Sequence, residues 1–307
     1  MPDISVWPDD VEVHFDEETT LLEALVAADI PIAHLCGARA RCSTCRIRVF
    51  EGLEHLTPRT SEELKMAKRL DFPEEIRLAC QTKASGSVNI ARLVLDTTDV
   101  ELASQLGKPR MVGPVGREVD VAVVFTDVVG YTAMADILPA YDVVHLLNRF
   151  FARTATLVEE NGGRVDNYIG DAVFAVFGVE GRPDPALGAV RTGLGILEIA
   201  DDLTQYLERI YQMDFKVRVG VHFGEVLFGL MGAESAARET VIGDAVNVAS
   251  RLEAANKQTG TSLLVSEAVR ELTAEDIDYG RRFELDLHGK TGLVTAHEVL
   301  RETNRVS

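Results

Sequence analysis

The chain has 307 residues, of which 46% are hydrophobic and 26% charged, so it can bury the cores of about two domains and disorder is not expected. Its 49 acidic and 31 basic residues give a formal net charge of −18, which argues against a general nucleic-acid binder because neutralising phosphates needs a basic surface. No run approaches the ~18 apolar residues of a membrane span and residues 1–5 lack the features of a signal peptide, so a cytoplasmic protein is expected.

The first hundred residues read as short strands and helices. Residues 4–7 and 11–15 alternate apolar and polar side chains on either side of a Pro-Asp-Asp turn, which predicts a hairpin. Thr20 and Glu23 have the spacing of a capping box and predict the start of a helix. A strand at 45–50, a helix at about 61–69 and a strand at 87–95 complete the first predicted domain, residues 1–100.

A breaker-rich segment follows and the composition then changes. Residues 101–118 contain three glycines and two prolines and are predicted to be a linker. The second predicted domain, residues 119–300, has strands at 121–125, 164–168, 172–177, 216–222 and 225–230 and helices at 143–158, 185–211 and 245–257. The two strands 216–222 and 225–230 are predicted to meet at a turn at Phe223 and Gly224, and the tail adds a strand, a short helix and two strands. The predicted fold class is α+β, with an antiparallel-rich sheet and helices on one face.

All four cysteines lie in the first domain, with the spacing Cys36-x5-Cys42-x2-Cys45-x34-Cys80. Clustered cysteines in a cytoplasmic chain favour a metal site over disulfides. Four thiolates can hold zinc or an iron–sulfur cluster. The small residues between Cys36 and Cys45 let backbone N–H groups turn towards inorganic sulfides, and the second Cys-x2-Cys pair of a zinc ribbon is missing. The pattern favours the cluster, with zinc-bound or purely structural cysteines as the alternative.

Three segments carry a family resemblance: residues 34–37, 41–46 and 77–81. Residues 1 to about 97 resemble a [2Fe–2S] ferredoxin of the adrenodoxin-like group. The resemblance implies a β-grasp fold in which Cys36, Cys42, Cys45 and Cys80 hold the cluster. Four acidic residues then have two interpretations, as a face that docks a redox partner or as an ordinary solvated surface: Glu62, Glu63, Glu74 and Glu75.

The second domain carries candidate carboxylate and cationic groups. Asp127 follows an apolar strand and Asp171 lies in a turn between two apolar strands. Two such carboxylates can chelate a divalent cation if they converge, although each alone is also typical of a turn or a cap. Asn247 and Arg251 are four residues apart and share a helix face, where they can reach one ligand. The alternative is that Asn247 is an ordinary surface residue and Arg251 forms an i,i+4 salt bridge. Asp244 is expected to cap that helix.

Four ordered segments, residues 125–132, 170–177, 218–224 and 243–252, resemble the catalytic domain of class III adenylyl and guanylyl cyclases. The resemblance covers about residues 118–300 and implies a βαββαβ sandwich that works as a head-to-tail homodimer with shared sites. It implies that two Mg2+ or Mn2+ ions are bound by Asp127, Asp171 and the carbonyl of Val128. It also implies that Asn247 and Arg251 stabilise the transition state and that Arg218 holds the β- and γ-phosphates.

Two positions depart from the family pattern. Adenylyl cyclases usually select the base with Lys and with Asp or Thr, and guanylyl cyclases with Glu and Cys; here the two positions hold Asn167 and Thr240. The absence of the guanine-type pair favours ATP. A phosphate-binding Lys of the family is replaced by His288, and Lys290 is the candidate substitute.

The resemblances together predict a cytoplasmic homodimeric enzyme that converts ATP into 3′,5′-cyclic AMP and pyrophosphate by two-metal catalysis, with a [2Fe–2S] domain that reports redox state or cluster occupancy. A redox partner for the ferredoxin domain is also implied. Two alternatives stay open: a guanylate cyclase, and an electron-transfer ferredoxin attached to a degenerate cyclase module.

Overall fold

The computed structural model describes residues 2–94, 116–232, 237–287 and 292–303. The chain divides into two compact units, one built mainly from the residues up to Arg117 and the other mainly from those after it. None of the helices in the described ranges combines the length and apolar character that crossing a bilayer requires.

The first unit is a small mixed sheet with two helices. Its sheet has five strands in the order β2-β1-β5-β3-β4, with β1 and β5 parallel and the other pairs antiparallel. The elements are β1 (Asp3–Trp7), β2 (Val11–His14), α1 (Leu21–Ala27), β3 (Arg46–Glu51), α2 (Ser61–Leu70), β4 (Ile76–Leu78) and β5 (Val88–Arg92).

The start of α1 confirms the predicted capping box. The Thr20 hydroxyl accepts from the N–H of Glu23, and the Glu23 carboxylate accepts from the N–H of Thr20 at 2.8 Å. The helix buries Leu21 and Leu25 in the same core as Ile4 and other apolar strand residues. The cap therefore fixes the beginning of the chain segment that leads into the cysteine loop.

The second unit is an eight-stranded sheet in the order β12-β13-β11-β9-β6-β8-β7, with β10 paired to β9. Its strands are β6 (Gly116–Val128), β7 (Gly163–Ile169), β8 (Ala172–Phe177), β9 (Val217–Met231), β10 (Arg238–Ile242), β11 (Leu263–Ser266), β12 (Ile277–Asp286) and β13 (Leu293–Glu302). Its helices are α3 (Tyr131–Ile137), α4 (Ala140–Glu160), α5 (Pro185–Tyr211), α6 (Asp244–Thr259) and α7 (Glu267–Thr273). The predicted α+β class is confirmed.

Helices pack on both faces of this sheet, so the prediction of helices on one face was wrong. Ala122 and Val124 of β6 belong to the core that α4 and α5 cover. Their neighbours Val121 and Val123 belong to a second core, which includes Ala245 and Ala249 of α6. All four side chains of residues 121–124 are therefore buried, as expected for a strand covered on both faces.

The predicted turn at Phe223 and Gly224 is absent, because β9 continues through it as one strand. A Cβ on Gly224 would lie 3.2 Å from the Cβ of Ala245, so the glycine gives α6 room to approach the strand. The structure also differs at the boundary of the linker, since β6 begins at Gly116 and includes the last three residues expected in the linker. The short helix α3 was not predicted.

Candidate cluster site and candidate active site

The four cysteines lie as two pairs. Cys36 and Cys42 are hydrogen-bonded to each other, and so are Cys45 and Cys80. The bond from Cys45 lowers the pKa of Cys80 to about 7, while the same contact and burial raise the pKa of Cys45. Burial acts against ionisation of Cys42, but hydrogen bonds from Thr44, whose Oγ1 lies 3.1 Å from the sulfur, and from Cys36 together outweigh it and lower the pKa of Cys42. One thiol of each pair is therefore prepared to ionise.

The loop between the cysteines turns its backbone towards their sulfurs. Ala38 and Ala40 have left-handed conformations, with φ of 66° and 54°, which residues with side chains rarely adopt. The N–H of Ala40 donates to Cys80, and the N–H groups of Arg39 and Arg41 donate to Cys36. Such donors offset the negative charge of thiolate ligands.

This donor set fits a binuclear cluster better than one metal ion. All four cysteines are free thiols, and two pairs supply two thiolates for each iron of a [2Fe–2S] cluster.

Glu63 supports this site from inside the domain, which corrects its expected place on an acidic surface. Its side chain is fully buried, and its two oxygens accept from Nε and Nη2 of Arg77, each at 2.9 Å. The N–H of Leu78, two residues before Cys80, also donates to it at 2.8 Å. Glu62 and Glu74 are exposed and Glu75 is half-buried, so only these three remain candidates for an acidic face. No local sequence pattern indicates the Glu63–Arg77 pair, because the two residues are fourteen positions apart.

In the second unit, the sheet brings Asp127 and Asp171 together. Asp127 lies near the end of β6, and Asp171 follows the turn before β8, the antiparallel neighbour of β6. Gly170 forms this turn with a φ of 65°, a conformation that favours glycine. The two carboxyl groups are hydrogen-bonded to each other, and the N–H of Val128 donates to Asp171 Oδ2 at 3.3 Å.

The electrostatics of this pair suit a cation site. Burial and then the contact with Asp171 raise the pKa of Asp127 to about 6, although Arg218 acts in the opposite direction. Glu253 of α6, which the sequence analysis did not select, also belongs to this group: burial and then the charge of Asp127 raise its pKa to about 7. Buried carboxyls that repel one another are stabilised by a divalent cation, and their oxygens are the donors that Mg2+ and Mn2+ prefer. The residues present therefore fit such ions.

Asn247 and Arg251 lie one turn apart on α6, as predicted. Asn247 is exposed, and Nη1 of the half-buried Arg251 is enclosed without a hydrogen-bond partner in the described part of the chain. The expected cap at Asp244 was wrong, because Gly243 occupies the N-cap position and Asp244 is the first helical residue.

The two positions expected to select the base, Asn167 and Thr240, lie on β7 and β10 of the second unit. Thr240 of β10 is buried, and its hydroxyl donates to the carboxylate of Asp166, which in turn pairs with Arg164 at 3.0 Å. Asn167 follows Asp166 on β7 and pairs with Phe174. Asp166 was not predicted as a site residue, because nothing in its local sequence pattern indicates that its side chain is buried. His288 and Lys290 lie outside the described residues.

Known proteins match both halves of the chain. Residues 114–299 match the adenylate and guanylate cyclase catalytic domain, and residues 5–85 match the 2Fe-2S iron-sulfur cluster binding domain. An adenylate cyclase from Anabaena cylindrica is 33% identical over 181 residues, which cover 58% of this chain and 36% of that protein. Adenylate cyclase 1 from Rhizobium meliloti is 30% identical over 187 residues, which cover 58% of this chain and 28% of that protein. The chain thus spans roughly a third of the length of these curated relatives.

Solved structures match the second half as well. The adenylyl cyclase CyaB from P. aeruginosa aligns with a TM-score of 0.57 and 25% identity over 62% of this chain and 98% of that one. The guanylyl cyclase Cya2 aligns with a TM-score of 0.58 over 63% of this chain and 98% of that one, and its 22% identity shows the fold alone. Because the catalytic-domain match covers more than half of the sequence, the chain belongs to the adenylate and guanylate cyclase family and carries a [2Fe–2S] domain before its catalytic domain.

Proposed function

We propose that the protein is an adenylate cyclase that converts ATP into 3′,5′-cyclic AMP and pyrophosphate. The observation that carries the proposal is the contact between Asp127 and Asp171, two carboxyls from different strands that burial and mutual repulsion prepare for a cation. A cyclase domain that had lost its activity would not be expected to keep this contact, because repulsion between the two carboxyls lowers stability when no ion is bound. The named adenylate cyclases among the relatives support the choice of reaction.

Asp127 and Asp171, with the carbonyl of Val128, would hold two Mg2+ or Mn2+ ions. Bound there, the ions lower the pKa of the ribose 3′-hydroxyl and neutralise the phosphates. Arg218, which lies close enough to Asp127 to lower its pKa, has the charge to hold the β- and γ-phosphates, and Lys290 is a further candidate. The chain itself thus binds the triphosphate and orients it.

We place Asn247 and Arg251 at a site completed by a second chain. The enclosed Nη1 of Arg251 is a guanidinium donor without a partner within the described ranges, and leaving such a group unsatisfied is unfavourable. A developing negative charge on the transferring phosphoryl group would satisfy it. In a head-to-tail homodimer the aspartates of one chain would meet Asn247 and Arg251 of the other.

The purine base of the substrate is proposed to be adenine. Thr240 is an adenine-type residue, and Asn167 can both donate to and accept from a purine edge. A guanylate cyclase is the alternative that differs only in this choice, and it predicts higher activity with GTP.

The ferredoxin domain is proposed to regulate the cyclase rather than to take part in its chemistry. Cyclisation of ATP transfers no electrons, so a covalently attached [2Fe–2S] cluster has a role as a sensor of redox state or of cluster occupancy. An electron-transfer protein would dock there by Glu62, Glu74 and Glu75. The four free thiols suit the reducing cytoplasm, where we place the protein.

The test is a cyclase assay on the full chain with ATP and with GTP, in Mn2+ and in Mg2+, with the cluster oxidised and reduced. Cyclic AMP formation above cyclic GTP formation is the expected result. Higher activity with GTP would identify a guanylate cyclase, and inactivity under every condition would favour an electron-transfer protein with a degenerate cyclase module.

A further inference from the structure

A bulge in β7 sets the positions of Asp166 and Asn167, and Asp166 contacts Thr240 of β10 through a hydrogen bond. Arg164 pairs with Val176 and Asn167 pairs with Phe174, so Asp166 is the extra residue of an irregular register. Val176 and Phe174 belong to one core, so their partners Arg164 and Asn167 lie on that face of the sheet. A regular strand would have directed Asn167 to the opposite face.

Asp166 is held in place from two directions. Its side chain is fully buried, with the Arg164 guanidinium at 3.0 Å from Oδ1 and the Thr240 hydroxyl donating to Oδ2. A buried carboxylate needs both a counter-charge and hydrogen bonds, and here it has them. As a carboxylate, Asp166 accepts both hydrogen bonds and has no hydrogen of its own to donate.

The hydrogen bond to Asp166 restricts what the Thr240 hydroxyl can do. A hydroxyl has one hydrogen, and that of Thr240 is directed at Asp166, which leaves only lone pairs for any other partner. The 6-position of adenine carries an amino group that donates, whereas that of guanine carries a carbonyl that accepts. An oxygen that can only accept matches the first and opposes the second.

We propose that Asp166 is a specificity-determining positioning residue, which acts through Thr240 by holding its hydroxyl as an acceptor for the 6-amino group of adenine. This inference rests on the proposed function and deepens it. It assigns the preference for ATP to a residue beside the two base-selecting positions, and it explains how a Thr gives the same hydrogen-bonding character as an Asp.

The experiment compares kcat/KM for ATP with kcat/KM for GTP in variants of the full chain. Asp166→Asn should lower the ATP-to-GTP ratio by about tenfold, because the amide can donate to Thr240 and release its hydrogen. Thr240→Ser keeps the hydroxyl and should keep the ratio. Asp202→Asn removes the same charge from an exposed pair with Arg153 and serves as the matched control.

A double substitution separates this role from a general effect on folding. Thr240→Val should lower the ratio, and Asp166→Asn added to it should lower the ratio no further, because Asp166 then has no hydroxyl to orient. Since both nucleotides are measured on one preparation, the ratio does not depend on the folded fraction. An unchanged ratio in Asp166→Asn would overturn the proposal. So would a double variant in which Asp166→Asn lowers the ratio by the same factor as it does in the wild-type background.

Failure of the proposed function gives a different result. A wild-type preference for GTP would contradict the choice of substrate, while the direction of the change in Asp166→Asn would still test the inference. If a preparation has no turnover, the dissociation constants of 3′-deoxy-ATP and 3′-deoxy-GTP, which lack the attacking hydroxyl, give the same ratio. A shift towards the guanine compound in Asp166→Asn supports the inference, and no shift contradicts it.

Discussion

The cluster site and the cyclase site differ in how much of each one chain supplies. The four thiols come from residues 36–80, already lie in two hydrogen-bonded pairs, and receive backbone N–H donors from their own loop. The cyclase site brings Asp127 and Asp171 into contact but leaves Nη1 of Arg251 enclosed and without a partner in the described residues. One chain supplies all four candidate cluster ligands, whereas we infer that the catalytic site requires a second chain.

The largest expected effect concerns the completeness of the cluster site. Anaerobically purified protein should be red-brown and contain two irons and two sulfides per chain, as a [2Fe–2S] centre with four thiolate ligands requires. Cys80→Ser should lose both, because one iron then lacks a ligand. Ser85→Ala, which removes an exposed hydroxyl in the same domain, should keep them. Stoichiometric zinc without iron or sulfide in the wild-type protein would refute the assignment.

The next largest effect is expected on stability, from loss of the buried Glu63 that pairs with Arg77 near Cys80. Glu63→Ala should lower the free energy of unfolding by about 3–5 kcal/mol, because it leaves the buried Arg77 charge without its partner. Glu62→Ala, at the exposed neighbouring position, should change it by less than about 0.5 kcal/mol. Urea unfolding of the cluster-loaded protein measures both, and equal losses would contradict the difference in burial.

The effect of the cluster's oxidation state on cyclase activity is expected to be of moderate size. If the cluster is a sensor, its oxidation state should change cyclase activity with a coupling free energy of about 1–3 kcal/mol. The Cys80→Ser variant should give the same activity under oxidising and reducing conditions. Equal activity of the wild-type protein in both states would leave the ferredoxin domain as a separate electron carrier.

The smallest effect is expected at the base pocket. Asn167→Lys should raise the ratio of ATP to GTP activity by about threefold, because a Lys donor matches an acceptor on the adenine ring. Gln258→Lys adds the same charge at an exposed position of α6 and should leave the ratio unchanged. A ratio that does not move in Asn167→Lys would place Asn167 outside the pocket.

Local patterns predicted much of this structure. The capping box of α1 and the bounds of β8 and α5 agree with the sequence, because caps and hydrophobic periodicity depend on neighbouring residues. The spacing of the cysteines likewise selected them as candidate ligands, and the structure brings them together as two pairs. These features need no knowledge of distant parts of the chain.

The features that the sequence did not predict are set by tertiary packing. Gly224 is a residue type common in turns, but here its lack of a side chain allows α6 to pack close to β9. The carboxyl of Glu63 has the character of a surface group, but it pairs with Arg77, fourteen residues away. Asp166 lies in a bulge whose register depends on β8. No local pattern contains these distant partners.

Subunit complementation tests the shared catalytic site most directly. Asp171→Ala and Arg251→Ala should each be nearly inactive, because the first loses a metal carboxylate and the second loses the clamp on the phosphoryl group. After random subunit exchange about half the dimers are mixed and half their sites are intact, so roughly a quarter of wild-type activity should return. No recovery after verified exchange would show that each chain builds its own site, and the head-to-tail dimer would be contradicted.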